Sequence, residues 1–165
     1  MHHIKFRSER QMAQGLGHIL AEVAEDWNVA EDWGIHADYI VPIPMHPSKK
    51  RARGFNQATV LARPLSKAFG IPMAENMIKR VKKTAPQSGL SVPGREQNLS
   101  DAFAFNHNKY DITNKKILLI DDIFTSGATM NTCAKLLMDN NAANVVCLSL
   151  SIAVRDFTES IYPDS

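Results

Sequence analysis

The sequence predicts an α/β fold, one domain over residues 1–165 with a mainly parallel, twisted sheet flanked by helices. Three observations lead there. Lys116–Ile120 and Asn144–Ile152 ("NVVCLSLSI") are continuous apolar runs of strand length, the pattern of strands covered on both faces. Between them, Ala128–Asn140 has helical periodicity, with Cys133, Leu136 and Leu137 on its inward side. Two such strands joined through a helix form the crossover unit that parallel pairing requires.

The N-terminal half begins with a helix. Met12, Leu16, Ile19, Leu20, Val23 and Trp27 mark one helical face, so Ser8 to Trp27 is expected to be an amphipathic helix with that face inward. "DYIVPIP", Asp38–Pro44, reads as a short strand entering a proline-stiffened turn. "HPSKKRARGFN", His46–Asn56, reads as a basic loop, with His46 solvated and Phe55 anchoring the next helix. Asn56 is placed to cap that helix, which carries Val60, Leu61, Leu65 and Ala68 and which Pro64 is expected to kink or end. "ENMIKRV", Glu75–Val81, and "AFAF", Ala102–Phe105, read as strands. Thr84–Asn98 holds two prolines and two glycines without periodicity, the composition of a lid or binding loop.

Composition narrows the class. The chain is 44% apolar and 22% charged, ordinary for a globular protein, and its net charge of +2 does not mark a general polyanion binder. No stretch approaches the roughly 20 apolar residues of a membrane span, and no secretory signal pattern opens the chain. A cytoplasmic protein without membrane insertion is expected, with Cys133 and Cys147 as two buried, reduced thiols. No repeat, low-complexity tract or linker divides the chain.

The chemistry concentrates in "ILLIDDIFTSGAT", Ile117–Thr129. In open α/β sheets ligands bind beyond the carboxyl ends of the strands, where Asp121 and Asp122 are expected. The turn behind them feeds a helix N-terminus, whose amides and dipole favour an anion. Gly127 allows close backbone approach, and Thr125, Ser126 and Thr129 add hydroxyls. A nucleotide triphosphate site of the Walker type also begins with an apolar strand and acids. It needs GxxxxGK[ST], and "GLSVPGRE", Gly89–Glu96, lacks the lysine and hydroxyl. A solvated acidic loop is the plain alternative. The ligand that uses every feature is a ribose 5-phosphate, its vicinal hydroxyls on the acids and its phosphate in the turn.

That stretch resembles the PRPP-binding motif of type I phosphoribosyltransferases. "VPIPMHPSKKRARGFNQA", Val41–Ala58, "IKRVKKTAPQSGLSVPGREQNLSDAF", Ile78–Phe103, and "IKFRSERQMAQGLGHIL" near the start resemble the ComF family of competence-associated phosphoribosyltransferase-like proteins. The resemblance implies a type I phosphoribosyltransferase-like core with a mobile lid. It places Asp121 and Asp122 on the ribose, and Thr125, Ser126, Gly127, Ala128 and Thr129 on the 5-phosphate. Pro42, Ile43 and Pro44 fall on the diphosphate side, working through backbone amides with Arg51 and Arg53, and Arg80, Lys82, Gln87, Arg95 and Asn98 fall in the lid. It implies Mg2+ carried by PRPP, with no metal held by the protein alone. Family members commonly begin with a four-cysteine zinc ribbon; this sequence starts without one, so no zinc is expected. Competence proteins are the partners the family suggests. The cluster Lys49, Lys50, Arg51 and Arg53 adds weak, salt-sensitive single-stranded DNA binding as a second expectation. Phosphoribosyl transfer and a non-catalytic PRPP- or DNA-binding module both remain open from the sequence. The acceptor, the general base and the oligomeric state are not legible.

Overall fold

The structure is a computed structural model that describes residues 2–26, 36–82, 101–124 and 126–152. In chain order the elements are α1 (His2–Asp26), β1 (Tyr39–Pro42), α2 (Pro47–Arg53), α3 (Gln57–Ala68), β2 (Ile78–Arg80), β3 (Phe103–Phe105), β4 (Lys116–Phe124), α4 (Ala128–Asp139) and β5 (Asn144–Ile152). The main sheet is parallel, in the order β1-β4-β5. Its register runs from Tyr39↔Ile117 to Pro42↔Ile120 on one side of β4, and from Lys116↔Asn144 onward on the other. On its far side β1 bonds the Pro72–Ala74 segment, through Ile40 N–H to the Pro72 carbonyl and Ala74 N–H to the Ile40 carbonyl. A separate antiparallel pair joins β2 to β3, with Ile78 opposite Phe105 and Arg80 opposite Phe103.

Alternation along β4 divides the core in two. Ile117 and Leu119 pack with Val41, Met130, Cys133 and Leu137 under α4, where Ile78 and Phe103 of the antiparallel pair close the layer. Leu118 and Ile120 pack on the other face with Ile40, Leu61, Ala62 and Leu65 of α3 and Ala21 of α1. A strand with apolar layers on both faces must be apolar throughout, which is why Lys116–Ile120 reads as it does.

Several expectations change. The segment read as a basic loop is α2. His46 caps it, its Nδ1 accepting from the Ser48 amide at 3.2 Å, and Gly54 ends it in the left-handed region at φ 85°. Pro47 fits the first turn, where its missing N–H costs nothing. His46 is therefore a capping residue rather than a solvated one. Helix α3 continues through Pro64, which leaves only the first of the two expected effects, a kink, open to it. Strand β4 runs four residues past Ile120, to Phe124.

The expected face of α1 is buried only in part: Leu20 packs on the core, Met12, Leu16 and Ile19 are exposed, and the side chains of Val23 and Trp27 lie outside the described residues. Met12 is 67% exposed and Ile19 56%, whereas Ala13, Gly17 and Ala21 lie inward. Small residues let the helix axes approach: a Cβ on Gly17 would stand 3.1 Å from Pro64 Cγ and 3.4 Å from the Leu61 backbone. Close backbone packing on α3 thus takes precedence over burial of the large side chains. Strand β5 is not fully buried either. It pairs only with β4 among the described residues, and Val146 and Cys147 are exposed. Cys133 is buried, and burial pushes its thiol well above the ordinary range. The expectation of two buried thiols holds for that one alone.

Candidate functional site

The site forms where the strands become unequal in length. Strand β1 ends opposite Ile120, and among the described residues β4 continues beside β5 alone, so Asp121 and Asp122 stand on a ledge past the end of their neighbour. The acids lie inside β4 rather than after it, yet still at the carboxyl end of the β1–β4 pairing. The Asp122 amide donates to Asp121 Oδ1 at 2.9 Å. Burial, reinforced by the hydrogen-bonded Asp122 side chain, pushes the Asp121 carboxyl up to about 7. The arrangement is a carboxyl pair that holds a proton near neutrality.

Arg80 opposes that rise electrostatically. Its guanidinium stacks over the Phe103 ring, 5.1 Å from the centroid. Burial lowers the Arg80 pKa and the Asp121 charge works against that shift. Arg80 was expected in the lid. Instead β2 and β3 place it in the fixed wall of the cleft, and the antiparallel pairing that does so joins residues far apart in sequence. Lys82, just beyond β2, pairs with Asp101 at 3.1 Å on the surface. Gln87, Arg95 and Asn98, and the whole Thr84–Asn98 lid reading, lie outside the described residues.

Behind the acids, Gly127 begins α4 with φ 71°, a conformation suited to glycine. The helix N-cap residue Gly127 has no side chain to offer, and among the described residues the Ala128 amide makes only a long hydrogen bond, donating to Ser126 Oγ at 3.5 Å. First-turn amides without a tight internal acceptor have the capacity to hold a phosphate. Gly127 is buried, Ala128 and Thr129 are half-buried and Ser126 is exposed, while Thr125 is outside the described residues.

The opposite wall is the Pro42–Pro44 turn. Its amides are not available in the way the sequence suggests. The two prolines carry no N–H, and the Ile43 amide donates to the Ile120 carbonyl at 2.8 Å. The Ile43 carbonyl in turn accepts from Asn56 Nδ2 at 2.9 Å, a buried bond. Asn56 therefore pins the turn instead of capping α3, whose N-terminus has no side-chain cap bond. The rigid turn shapes the site, and anion contacts from this side must come from later residues. Arg51 and Arg80 line one cleft of about 560 Å3 with Pro44, Met45 and Pro47. Arg53 lies two residues from Arg51 on α2, too far around the helix to share its face. It bonds Gln57 Oε1 at 2.6 Å and lines a separate hollow with Met45 and Lys49. Lys50 pairs with Glu75 at 3.3 Å. Of the basic cluster, the cleft thus receives Arg51 and Lys50, not Arg53. Asn56, Glu75 and Phe103 are the contributors the sequence did not single out as site residues.

Among the described residues no cluster of three or more histidine, cysteine or acidic side chains could hold a metal ion. Neither acid lines the cleft itself; Asp121 is linked to it through its electrostatic interaction with Arg80. No helix among the described residues is long and apolar enough to cross a membrane.

Comparison with known proteins agrees with this geometry. Residues 53–157 match the phosphoribosyl transferase domain family. Competence protein F of Haemophilus influenzae is 41% identical over 98 residues, covering 59% of this chain and 43% of that protein. DNA utilization protein YhgH of Escherichia coli K12 is 30% identical over 146 residues, covering 88% of this chain and 62% of that protein. Competence protein ComFC of Streptococcus pneumoniae is 36% identical over 110 residues, or 67% and 46% of the two chains. The chain thus spans about half the length of the curated relatives it matches. Among solved structures, the glutamine PRPP amidotransferase of B. subtilis, complexed with ADP and GMP, superposes with a TM-score of 0.56. It is 17% identical, over 86% of this chain and 26% of that one, a likeness of fold. On the family match and these relatives, the chain belongs to the phosphoribosyl transferase domain family, among its ComF-like members.

Proposed function

We propose that the chain binds PRPP with Mg2+ and transfers its 5-phosphoribosyl group to an acceptor, releasing diphosphate. The observation that carries this reading is the ledge: two carboxylates past the end of β1, followed by a glycine-led turn into the N-terminus of α4. The ribose hydroxyls donate to Asp121 and Asp122, and the 5-phosphate takes the Ser126–Thr129 turn. The diphosphate extends toward Arg51 and Arg80. Bound together with PRPP, Mg2+ would supply charge neutralisation for the leaving group. The bond from the ribose anomeric carbon to the diphosphate oxygen breaks, the diphosphate keeps the electron pair, and the acceptor's lone pair forms the new bond. Positive charge develops on the sugar ring, as in glycosyl transfer generally. Alignment and stabilisation of the leaving anion by the two arginines are the chain's contributions.

The names of the relatives favour a second reading, a PRPP-binding module for single-stranded DNA in competence or DNA utilisation, without turnover. Exposed Lys49 and Arg51 on α2 supply phosphate contacts for it. Titration of PRPP and Mg2+, with diphosphate-release assays over nucleobases, amines and other acceptors, separates the two. PRPP binding with release supports transfer. Binding without release under every acceptor, together with salt-sensitive oligonucleotide binding lost on Lys49→Ala and Arg51→Ala, supports the module. No PRPP binding at all sinks both.

A further inference from the structure

A second groove lies between α1 and α3 and meets the cleft at Lys50, Asn56 and Glu75, which line both. It holds about 390 Å3, within the size range of small-ligand sites. Its wall on α1 is Arg10, Gln14 and His18, and its wall on α3 includes Arg63 and Lys67. Phe55, Val60 and Pro64 form an apolar stretch between them, with Phe55 only 7% exposed.

Charge is one-sided. The lining contains one carboxylate, Glu75, which Lys50 Nζ and Thr59 Oγ1 each hold at 3.3 Å. Arg10, Arg63 and Lys67 have no carboxylate partner among the described residues. Three cations from two helices thus converge on one concave surface with an apolar side. Guanidinium groups match phosphate oxygens in a planar, bidentate geometry. An extended strand needs a long track of contacts, while a concave groove of this size fits a compact ligand.

We propose that the groove between α1 and α3 is a binding site for a nucleoside phosphate, adjoining the PRPP cleft through their shared Lys50, Asn56 and Glu75 but with phosphate-binding cations of its own. Arg10, Arg63 and Lys67 hold the phosphates, and the base lies against Phe55, Val60 and Pro64. His18 and Gln14 line the α1 side, within the same groove. The site does not depend on Asp121, Asp122 or the α4 turn.

The test is calorimetric titration with ADP, free of Mg2+, on four forms of the full chain. These are wild type, Arg10→Gln/Arg63→Gln, Lys67→Gln, and Asp121→Asn/Asp122→Asn. PRPP titrations and melting curves run beside them. ADP is expected to bind wild type and the aspartate variant equally, and the double arginine variant at least tenfold more weakly. Lys67→Gln is expected to weaken it severalfold. Adenosine and inorganic diphosphate, as separate probes, are each expected to bind more weakly than ADP. All substituted groove residues are exposed, so melting temperatures and PRPP affinity should stay at wild-type values in the arginine and lysine variants. ADP binding lost in the aspartate variant and retained in the arginine variant overturns the proposal. So does absence of ADP binding to wild type, or an arginine-dependent affinity for a single-stranded oligonucleotide without one for ADP. Failure of PRPP to bind wild type would refute the cleft reading while leaving the ADP comparison intact.

Discussion

Replacing Asp121 by Asn is expected to stabilise the unliganded protein while weakening PRPP binding. The carboxyl titrates near 7 in the folded chain against 3.8 ordinarily, because burial and the Asp122 side chain disfavour its charge. At about 1.4 kcal/mol per pH unit, the penalty for ionising it has a ceiling of about 4 kcal/mol. The group is only half-buried, and solvent screening reduces the expected effect to about 1–2 kcal/mol. Below about pH 4 both folded and unfolded carboxyls are protonated and no penalty exists. Between about 4 and 7 the unfolded chain binds fewer protons than the folded one, so wild-type stability falls as pH rises; above about 7 the loss is complete. Asparagine has no such dependence, and its Oδ1 can still accept the Asp122 amide. The variant's advantage should therefore be absent near pH 4 and reach about 2–8 °C in melting temperature at about pH 8. PRPP affinity should fall roughly 10- to 150-fold in the variant, the loss expected when charged hydrogen bonds to hydroxyls are removed. In wild type it should rise with pH up to about 7 and then level. A melting difference that is constant from about pH 4.5 to 8, or negative, would refute the reasoning about the carboxyl pair.

Arg80→Gln should lower PRPP affinity at least tenfold, and Arg80→Lys less, since lysine keeps the charge but loses the planar stacking on Phe103; equal affinity in all three forms would remove Arg80 from the cleft. Asn56→Ala should cost about 1–3 kcal/mol by leaving the buried Ile43 carbonyl without its donor, visible as a lower urea midpoint. Gly17→Leu should destabilise by about 1–3 kcal/mol by forcing α1 away from Pro64. Gly15→Ala, where nothing lies within 4 Å of the added carbon, should instead stabilise by about 0.5–1 kcal/mol; matching melting shifts in the two glycine variants would contradict the packing of α1 on α3.

The central strand, the helix after it and the acid-glycine turn were legible because each has a local signature. A two-sided apolar run, a 3.6-residue period and a glycine before a helix can be seen without knowing any neighbour. Strand β5 shows the limit of that reading. Its run is as apolar as that of β4, but apolarity does not reveal whether a further layer covers it. Helix α1 shows another limit, since its large side chains define a stripe while the smaller Ala13, Gly17 and Ala21 determine how closely it docks. The signals for α2 were present in His46, Pro47 and Gly54. A seven-residue basic helix has no buried side of its own, so it carries no period to read. Arg80 was grouped with the segment C-terminal to it because its pairing with Phe103 spans a gap no local pattern crosses.

The ledge has a consequence for solubility as well as for ligands. Beyond Ile120 the β1 side of β4 has no strand beside it among the described residues, and such an open margin invites another chain to add on. Here the first amide past the margin, that of Asp122, is already taken by the Asp121 carboxylate. An incoming strand would have to displace that bond and bury two acids. The two acids proposed to hold the ribose thus also guard this margin against edge-to-edge association. Neutralising both acids should therefore be judged for aggregation as well as for affinity.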